Sequence, residues 1–462
     1  MSLTTKISRG TFFLSFSGAL SRFVAFATVI LVTRGLSLFE YGVVTLVLSV
    51  TGPVNSLSGL GMDELIVADT AKSLGEGRRG YAKKLLLSFF RVRFLIIAAL
   101  IAVGWLFHKP LESRYGPAIS EYFFLLALLI LAQYLRNVFS LVFQIHQKFG
   151  VLSALGIVEV AARFAAVVVF WRFSALTIQT ALLSYAIAAV VPILVAVPWI
   201  MKTLAYFRQA PPEPGGVMWP ILARHGKWQM GLDIASSMIS NVKYWLIKIF
   251  LSTEAVAVFS VAQSMYSAVA SLLPLKSVMF PIIAEHSGDI PVMRALVQRS
   301  TKYSLVFYFG LLIFSVLIAP PFIAIFFPKY LIGIFIFQLM ALRLPLNAFS
   351  ISQAPLLVVL KEQRYLFFLS LVNAASMLLF LPLLMATFGL PGVVIEWLIT
   401  VLIVIVLREI FLRRKHQLAS VSIKSFFTID QYDHMLVRRI IEKLRLSKLA
   451  RPLLPSERAE SK

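Results

Sequence analysis

Cysteine is absent from all 462 residues, so neither a disulfide framework nor a thiolate metal site can form. Acidic residues are scarce, 21 Asp and Glu against 44 Lys and Arg, for a formal charge of +23. The chain lacks a phosphate-cradling glycine loop, a nucleophile elbow and any metal-spaced His/Glu cluster. These absences argue against catalysis, a metal, an organic cofactor and ATP hydrolysis by this chain. Charged residues amount to only 14%, and no polar stretch long enough for an appended soluble domain occurs in the first 411 residues.

What fills the chain instead is apolar. Hydrophobic residues make up 59% and the mean hydropathy is +0.86, well beyond a soluble domain. Runs of about 20 residues, enough to cross a bilayer as a helix, lie near 11–33, 39–61, 85–107, 120–145, 150–171, 175–200, 228–250, 254–276, 303–325, 331–355, 364–386 and 391–411. Their continuity predicts an all-α, polytopic membrane protein with about twelve transmembrane helices, since a barrel would need short alternating segments. The first run is too long for a signal-peptide core and ends without a small-x-small cleavage site, so it is expected to be a retained helix.

The surplus of positive charge sits where membrane topology would put it, which argues against a nucleic-acid partner. Taking Lys6 and Arg9 as cytoplasmic puts Arg78, Arg79, Lys83, Lys84, Arg224, Lys227, Arg294 and Arg299 inside, with many more. The outside keeps only Arg34, Lys109, Arg114, Arg172 and Lys329. This asymmetry predicts both termini inside. A basic amphipathic segment, 429–454, is expected to lie on anionic inner-leaflet lipid, making membrane lipids a partner.

A shift of 215 lays Leu36-Ser-Leu-Phe-Glu-Tyr-Gly-Val-Val-Thr45 on Leu251-Ser-Thr-Glu-Ala-Val-Ala-Val-Phe-Ser260, each at an outside turn. A shift of 216 lays Gln147-Lys-Phe149 on Gln363-Arg-Tyr365, each at an inside turn. Two matches at nearly one offset predict a duplicated six-helix unit, with parallel repeats about an axis along the membrane normal. The expected organisation is a six-helix half over 1–210, a polar linker over 211–220 carrying Pro211-Pro-Glu-Pro-Gly-Gly216, a second half over 221–411 and a basic tail over 412–462.

Several cations fall inside the predicted spans: Arg22, Arg91, Arg93, Arg136, Arg163, Lys243, Lys248, Lys276 and Arg343. Each costs on the order of 2.5–3.5 kcal/mol at a helix centre, so a chain that keeps them must gain from them. An anion that enters the membrane is the simplest gain. Arg91, Arg93, Lys248 and Lys276 lie near span ends, where snorkelling to headgroups or contact with lipid phosphate explains them. Arg22, Arg136, Arg163, Lys243 and Arg343 lie deeper and are the candidates for one cavity that holds phosphates. Small and polar residues at spacings of three and four, Thr11, Ser15, Gly18, Arg22 and Ala25 in one helix and Asp233, Ser236, Ser237, Ser240 and Asn241 in another, mark a cavity-lining or helix-packing face.

Three acids, Glu159, Asp233 and Glu396, are equally deep. Each is a candidate proton or sodium site, since a carboxyl in low dielectric resists ionisation. Glu159 also precedes Arg163 by one turn, so an i,i+4 ion pair is an alternative. Glu40 and Glu254 stand at outside turns and read as solvated or capping.

The segment Thr33-Arg-Gly-Leu-Ser-Leu-Phe-Glu-Tyr-Gly42, together with Phe250-Leu-Ser-Thr-Glu-Ala-Val-Ala-Val-Phe-Ser260, resembles the entrance motifs of Wzx-type polysaccharide and O-antigen flippases. These belong to the multidrug/oligosaccharidyl-lipid/polysaccharide exporter superfamily, and the likeness runs over residues 1–411. It implies a MATE-like arrangement of two six-helix repeats in a bacterial inner membrane. It also implies translocation of undecaprenyl-diphosphate-linked oligosaccharide by alternating access, for surface polysaccharide such as O-antigen, exopolysaccharide or capsule, beside a polymerase as partner. The chain departs from the pattern in having Lys243-Tyr244 where the family often has Asp-Arg, and Ala257 where Gly is usual. A cation-coupled multidrug antiporter of the same superfamily is the alternative, with a membrane glycan polymerase or ligase less favoured. Arginine offers a planar fork that matches phosphate oxygens and lysine a mobile point charge, and cationic drugs would call for acids instead.

Overall fold

In the computed structural model, residues 3–115, 121–146, 148–208, 218, 227–272, 279, 283 and 289–418 are described. The linker at 211–216, Lys276 and the amphipathic segment at 429–454 lie outside them. The first half comprises α1 (Leu3–Gly35), α2 (Leu38–Gly59), the short α3 (Asp63–Gly75), α4 (Arg79–Tyr115), α5 (Phe123–Ile145), α6 (Phe149–Arg172) and α7 (Ile178–Arg208). After it come α8 (Lys227–Phe250), α9 (Thr253–Ala270), α10 (Ile290–Phe326), α11 (Gly333–Val359), α12 (Gln363–Phe388) and α13 (Leu390–His416). No strand occurs among the described residues.

All twelve expected spans coincide with helices. Nine helices are long and apolar enough to cross a membrane by that measure alone, among the described residues. The three outside that count, α1, α8 and α9, are the first helix and the first pair of the second repeat. In α8 the reason is plain: Asp233, Ser236, Ser237, Ser240, Asn241 and Lys243 lower its hydropathy.

The offset found in the sequence reappears in the helix boundaries. Adding 215 carries Gly35, the last residue of α1, to Phe250, the last of α8, and Leu38, the first of α2, to Thr253, the first of α9. Both second helices start at a serine cap. Ser37 accepts from the Glu40 backbone N–H while Glu40 accepts from that of Ser37, a reciprocal capping box that accounts for Glu40. Ser252 accepts from the Ala255 N–H in the same way, but Ala255 stands where the first repeat has Glu40, so the return bond is missing.

The halves meet along α2. Near one end, a Cβ on Gly42 would sit 2.1 Å from the Thr253 carbonyl oxygen, an approach open only to glycine. Further along, Thr45 bonds Ser260 at 3.4 Å and Trp245 Nε1 donates to Ser49 at 2.9 Å. At the other end, Gly61, with φ +59°, would drive a Cβ to 2.7 Å from the Met230 backbone.

At the Gly42 end a pair of cations fastens the halves. Arg34, in the last turn of α1, donates to the carbonyls of Ile325 (2.6 Å) and Phe326 (3.3 Å) at the end of α10. Lys329 donates back to the carbonyls of Arg34 (3.1 Å) and Leu36 (2.9 Å). Arg34 thus satisfies carbonyls at the C-terminus of α10 and Lys329 those at the C-terminus of α1, where positive charge is favoured. Beneath this latch the rings of Tyr41 and Tyr330 stand 6.2 Å apart, and Phe26 packs on Phe322 and Phe327.

Arg93 departs from the sequence reading. It does not snorkel: it is 1% exposed and its Nη1 donates to Asp63 Oδ1 at 2.8 Å. The partner comes from α3, a helix the hydropathy pattern does not announce, so the sequence gives no hint that this arginine is occupied. Arg91 is exposed, as expected of a residue at the membrane surface.

Candidate functional site

Three compartments open beside α8, one lined by the second half alone and two lined by residues of both halves. The first, about 340 Å³, holds Lys243 and Arg343 together. Arg343 begins the second segment of α11, just past a break at Leu342, and its guanidinium lies over Trp397 with Cζ 3.7 Å from the ring centroid. Lys243 Nζ stands 4.9 Å from the same ring and 5.7 Å from that of Phe259. Cations over aromatic faces gain roughly 0.5–2 kcal/mol, which offsets part of their desolvation.

Glu396 lines this compartment too, 6% exposed, accepting from Thr400 Oγ1 at 2.6 Å. Thr400 in turn meets Ser376 Oγ at 2.5 Å, so the carboxylate is held by a hydroxyl chain between α12 and α13. Neither Lys243 nor Arg343 forms an ion pair with it, and Arg343 Nε is buried without a hydrogen-bond partner. The compartment therefore keeps two cations without an ion pair among the described residues, one of them with a buried, unpartnered Nε.

The second compartment, about 550 Å³, holds Arg22 and Arg163. Arg22 Nη1 donates to the Ser271 carbonyl at 2.6 Å, joining α1 to the C-terminal end of α9. Arg163 lies over Tyr185 with Cζ 4.9 Å from the ring, its Nε also buried and unpartnered. Tyr244 and Gln263 line both this compartment and the first, so the two adjoin. Four of the five cations singled out in the sequence thus line two neighbouring compartments, two in each.

Arg136 is the exception. It pairs with Glu159 on the neighbouring helix, in a separate pocket of about 220 Å³ beside Pro192. Glu159 therefore takes Arg136 rather than Arg163 one turn along its own helix. From Arg136 a hydrogen-bonded line runs through Asn137 and Asn55 to Gln133, so this arginine is spent within the first half.

The third compartment, about 730 Å³, contains Asp233, which accepts from Gln229 at 3.1 Å, and the Arg93–Asp63 pair. It shares Ser236 and Ser240 with the first. The three deep acids therefore have three different settings. Side chains at Thr11 and Ser15 lie outside the described set, so the α1 stripe is visible only from Gly18 onward.

Sequence reasoning missed Trp397, Phe259 and Tyr244, which wall the cation compartment, because an aromatic in an apolar span looks like any core residue. It also missed the amides Asn55 and Asn137. Their position within predicted spans was a signal, since an uncharged polar side chain in hydrocarbon also needs partners.

The family described as polysaccharide biosynthesis protein matches residues 7–287. Among solved structures, the chain resembles a lipid II flippase, MurJ, in an inward closed conformation, with TM-score 0.71 and 14% identity, covering 96% of this chain and 99% of that one. It also resembles the MATE multidrug transporter DinF-BH, with TM-score 0.63, 17% identity and coverage of 93% and 99%. A point mutant of the Vibrio cholerae MATE transporter VcmN gives TM-score 0.62, 15% identity and coverage of 89% and 97%. At such identities the likeness is one of fold. No curated protein matches the sequence.

Proposed function

The chain belongs to the polysaccharide biosynthesis protein family, and from that premise we propose that it carries a polyprenyl-diphosphate-linked oligosaccharide across the bacterial inner membrane by alternating access. The lipid would be undecaprenyl diphosphate, the direction from the cytoplasmic to the outer leaflet, and the product would serve surface polysaccharide assembly by a downstream polymerase. The observation that carries this reading is the pairing of Lys243 and Arg343 in one compartment, neither in an ion pair among the described residues and with Arg343 Nε buried without an acceptor. A diphosphate supplies the acceptors they lack. Aromatic walls lower the local dielectric and strengthen that attraction.

The fold supports a two-sided cycle. The contacts of Arg34 and Lys329 fasten one end, read from the charge pattern as the outer one. Release on the outer side requires those carbonyl contacts to break while the halves turn about the Thr45–Ser260 seam. The likeness in fold to a lipid II flippase agrees with such a cycle. A multidrug antiporter for cationic drugs is disfavoured, because Lys243 and Arg343 would repel its substrate.

For coupling, the reading assigns a proton or sodium ion to Glu396 before Asp233 or Glu159. Glu396 shares a compartment with the two cations, so its charge state and the substrate's are felt together, whereas Glu159 is neutralised by Arg136.

Depletion of the protein followed by isolation of lipid-linked glycan tests the proposal. Accumulation of a diphosphate-linked glycan accessible only from the cytoplasmic face is expected. Normal glycan with altered drug tolerance would sink the reading.

A further inference from the structure

The third compartment differs in kind from the two that hold the cations. Five side-chain amides line it, from Asn55, Asn137, Gln144, Gln229 and Asn241. Five serines do as well, and no aromatic ring takes part. Amides and hydroxyls both donate and accept, which matches a sugar, whose hydroxyls do the same and carry no charge. Its size, about 730 Å³, exceeds that of the cation compartment at about 340 Å³.

The two spaces share a wall where a diphosphate would hand over to its first sugar. Ser236 and Ser240 border both, and Ser240 stands one helical turn before Lys243 on α8, a rise of roughly 5 Å. Charge in this compartment runs opposite to that in its neighbour. Asp63, Glu64 and Asp233 face a single base, Arg93, which Asp63 already engages at 2.8 Å. Glu64 and Asp233 remain with no cation in salt-bridge reach among the described residues, Asp233 being bonded only to the Gln229 amide.

Resting on the reading above, we propose that this compartment holds the oligosaccharide and selects neutral or amino-bearing sugars over uronic acids. The diphosphate is drawn to Lys243 and Arg343, while a carboxylate further along the glycan meets Glu64 and Asp233 and is repelled. Selection falls on the glycan alone, because every substrate carries the same diphosphate.

The test uses the full chain in liposomes and two probes of equal length: a polyprenyl diphosphate bearing three neutral hexoses, and one whose last hexose is a uronic acid. The neutral probe is expected to cross at least tenfold faster, and a Glu64→Gln, Asp233→Asn double variant to narrow that ratio below threefold. Equal crossing in the unaltered protein overturns the proposal, as does an unchanged ratio in a double variant of normal Tm. If neither probe crosses, the carrier reading fails and the compartment is decided by itself. Maltotriose must then bind the detergent-purified protein at least tenfold more tightly than trigalacturonate, and equal affinity overturns the proposal.

Discussion

Thr45 and Ser260 stand 215 residues apart and meet, the Thr45 hydroxyl reaching Ser260 Oγ at 3.4 Å in the buried seam between α2 and α9. The same offset relates the two repeats, so each residue touches its own counterpart. A contact between equivalent positions marks the local two-fold relation of the halves, as at an isologous interface. Side chains here must stay small, since the helices close to a distance that Gly42 alone permits against the Thr253 carbonyl.

Gly42→Leu is therefore expected to force the seam apart. Overpacking of a tight interface costs roughly 1–3 kcal/mol or more, and here the obstacle is backbone. Thermal unfolding in detergent should show a Tm several degrees lower, whereas Gly75→Ala, with open space around it, should leave Tm unchanged.

Arg343→Ala should reduce translocation of a lipid-linked diphosphate by tenfold or more, and Arg343→Lys should restore only part of it. Lysine keeps the charge but loses the guanidinium's planar donor fork and its close approach to Trp397. Full activity of the alanine variant in a liposome assay would remove this arginine from the substrate's path.

The latch of Arg34 and Lys329 makes a prediction that the absence of cysteine makes easy to read. A single Ser267→Cys reporter has no background thiol, so labelling from the outer face reports opening at that end. Hydrogen bonds to charged groups contribute about 1.5–3 kcal/mol each when buried and less when exposed. Arg34→Ala with Lys329→Ala is expected to raise outer labelling at least fivefold. No rise would mean that other contacts hold that end.

Glu159→Gln should leave Arg136 without its counter-charge in the membrane, and breaking such a pair is costly. The exchange Glu159→Arg with Arg136→Glu is expected to recover much of the lost Tm, a double-mutant test of the pairing. Failure of the exchange with normal expression would count against a simple ion pair.

Glu362, at the turn before α12, gives a pH dependence. Burial alone would raise its pKa, but hydrogen bonds from Lys415 and His416 prevail and hold it below the ordinary carboxylate range. A depressed carboxylate stabilises the fold above its unfolded pKa, near 4.3, and that contribution is lost as pH falls through the folded value. Lys415 is half exposed, so the effect is small, at most about 1 kcal/mol. Glu362→Gln should lower Tm at pH 7, and the deficit should shrink as the pH falls below the ordinary carboxylate range.

Much of the fold was legible because hydrocarbon imposes a simple rule: each span must be a continuous apolar helix of fixed length, and an even count per repeat fixes the relation of the repeats. The offset of 215 and the capping serines at 37 and 252 were likewise local features. That four of five deep cations line two neighbouring compartments was not local, nor was the choice of Glu159 between Arg136 and Arg163. The i,i+4 spacing suggested one partner and the packing of α5 against α6 supplied another.

By itself, then, the sequence determined the helices, their duplication, and that cations and amides were kept in the membrane at a cost. Only the tertiary structure decided which of those groups are neutralised and which are left open. Arg93 and Arg136 found carboxylates, while Lys243 and Arg343 found aromatic faces and an unfilled space. The physical reason is that hydropathy is a property of single segments, whereas charge compensation depends on which helix faces which across the bundle.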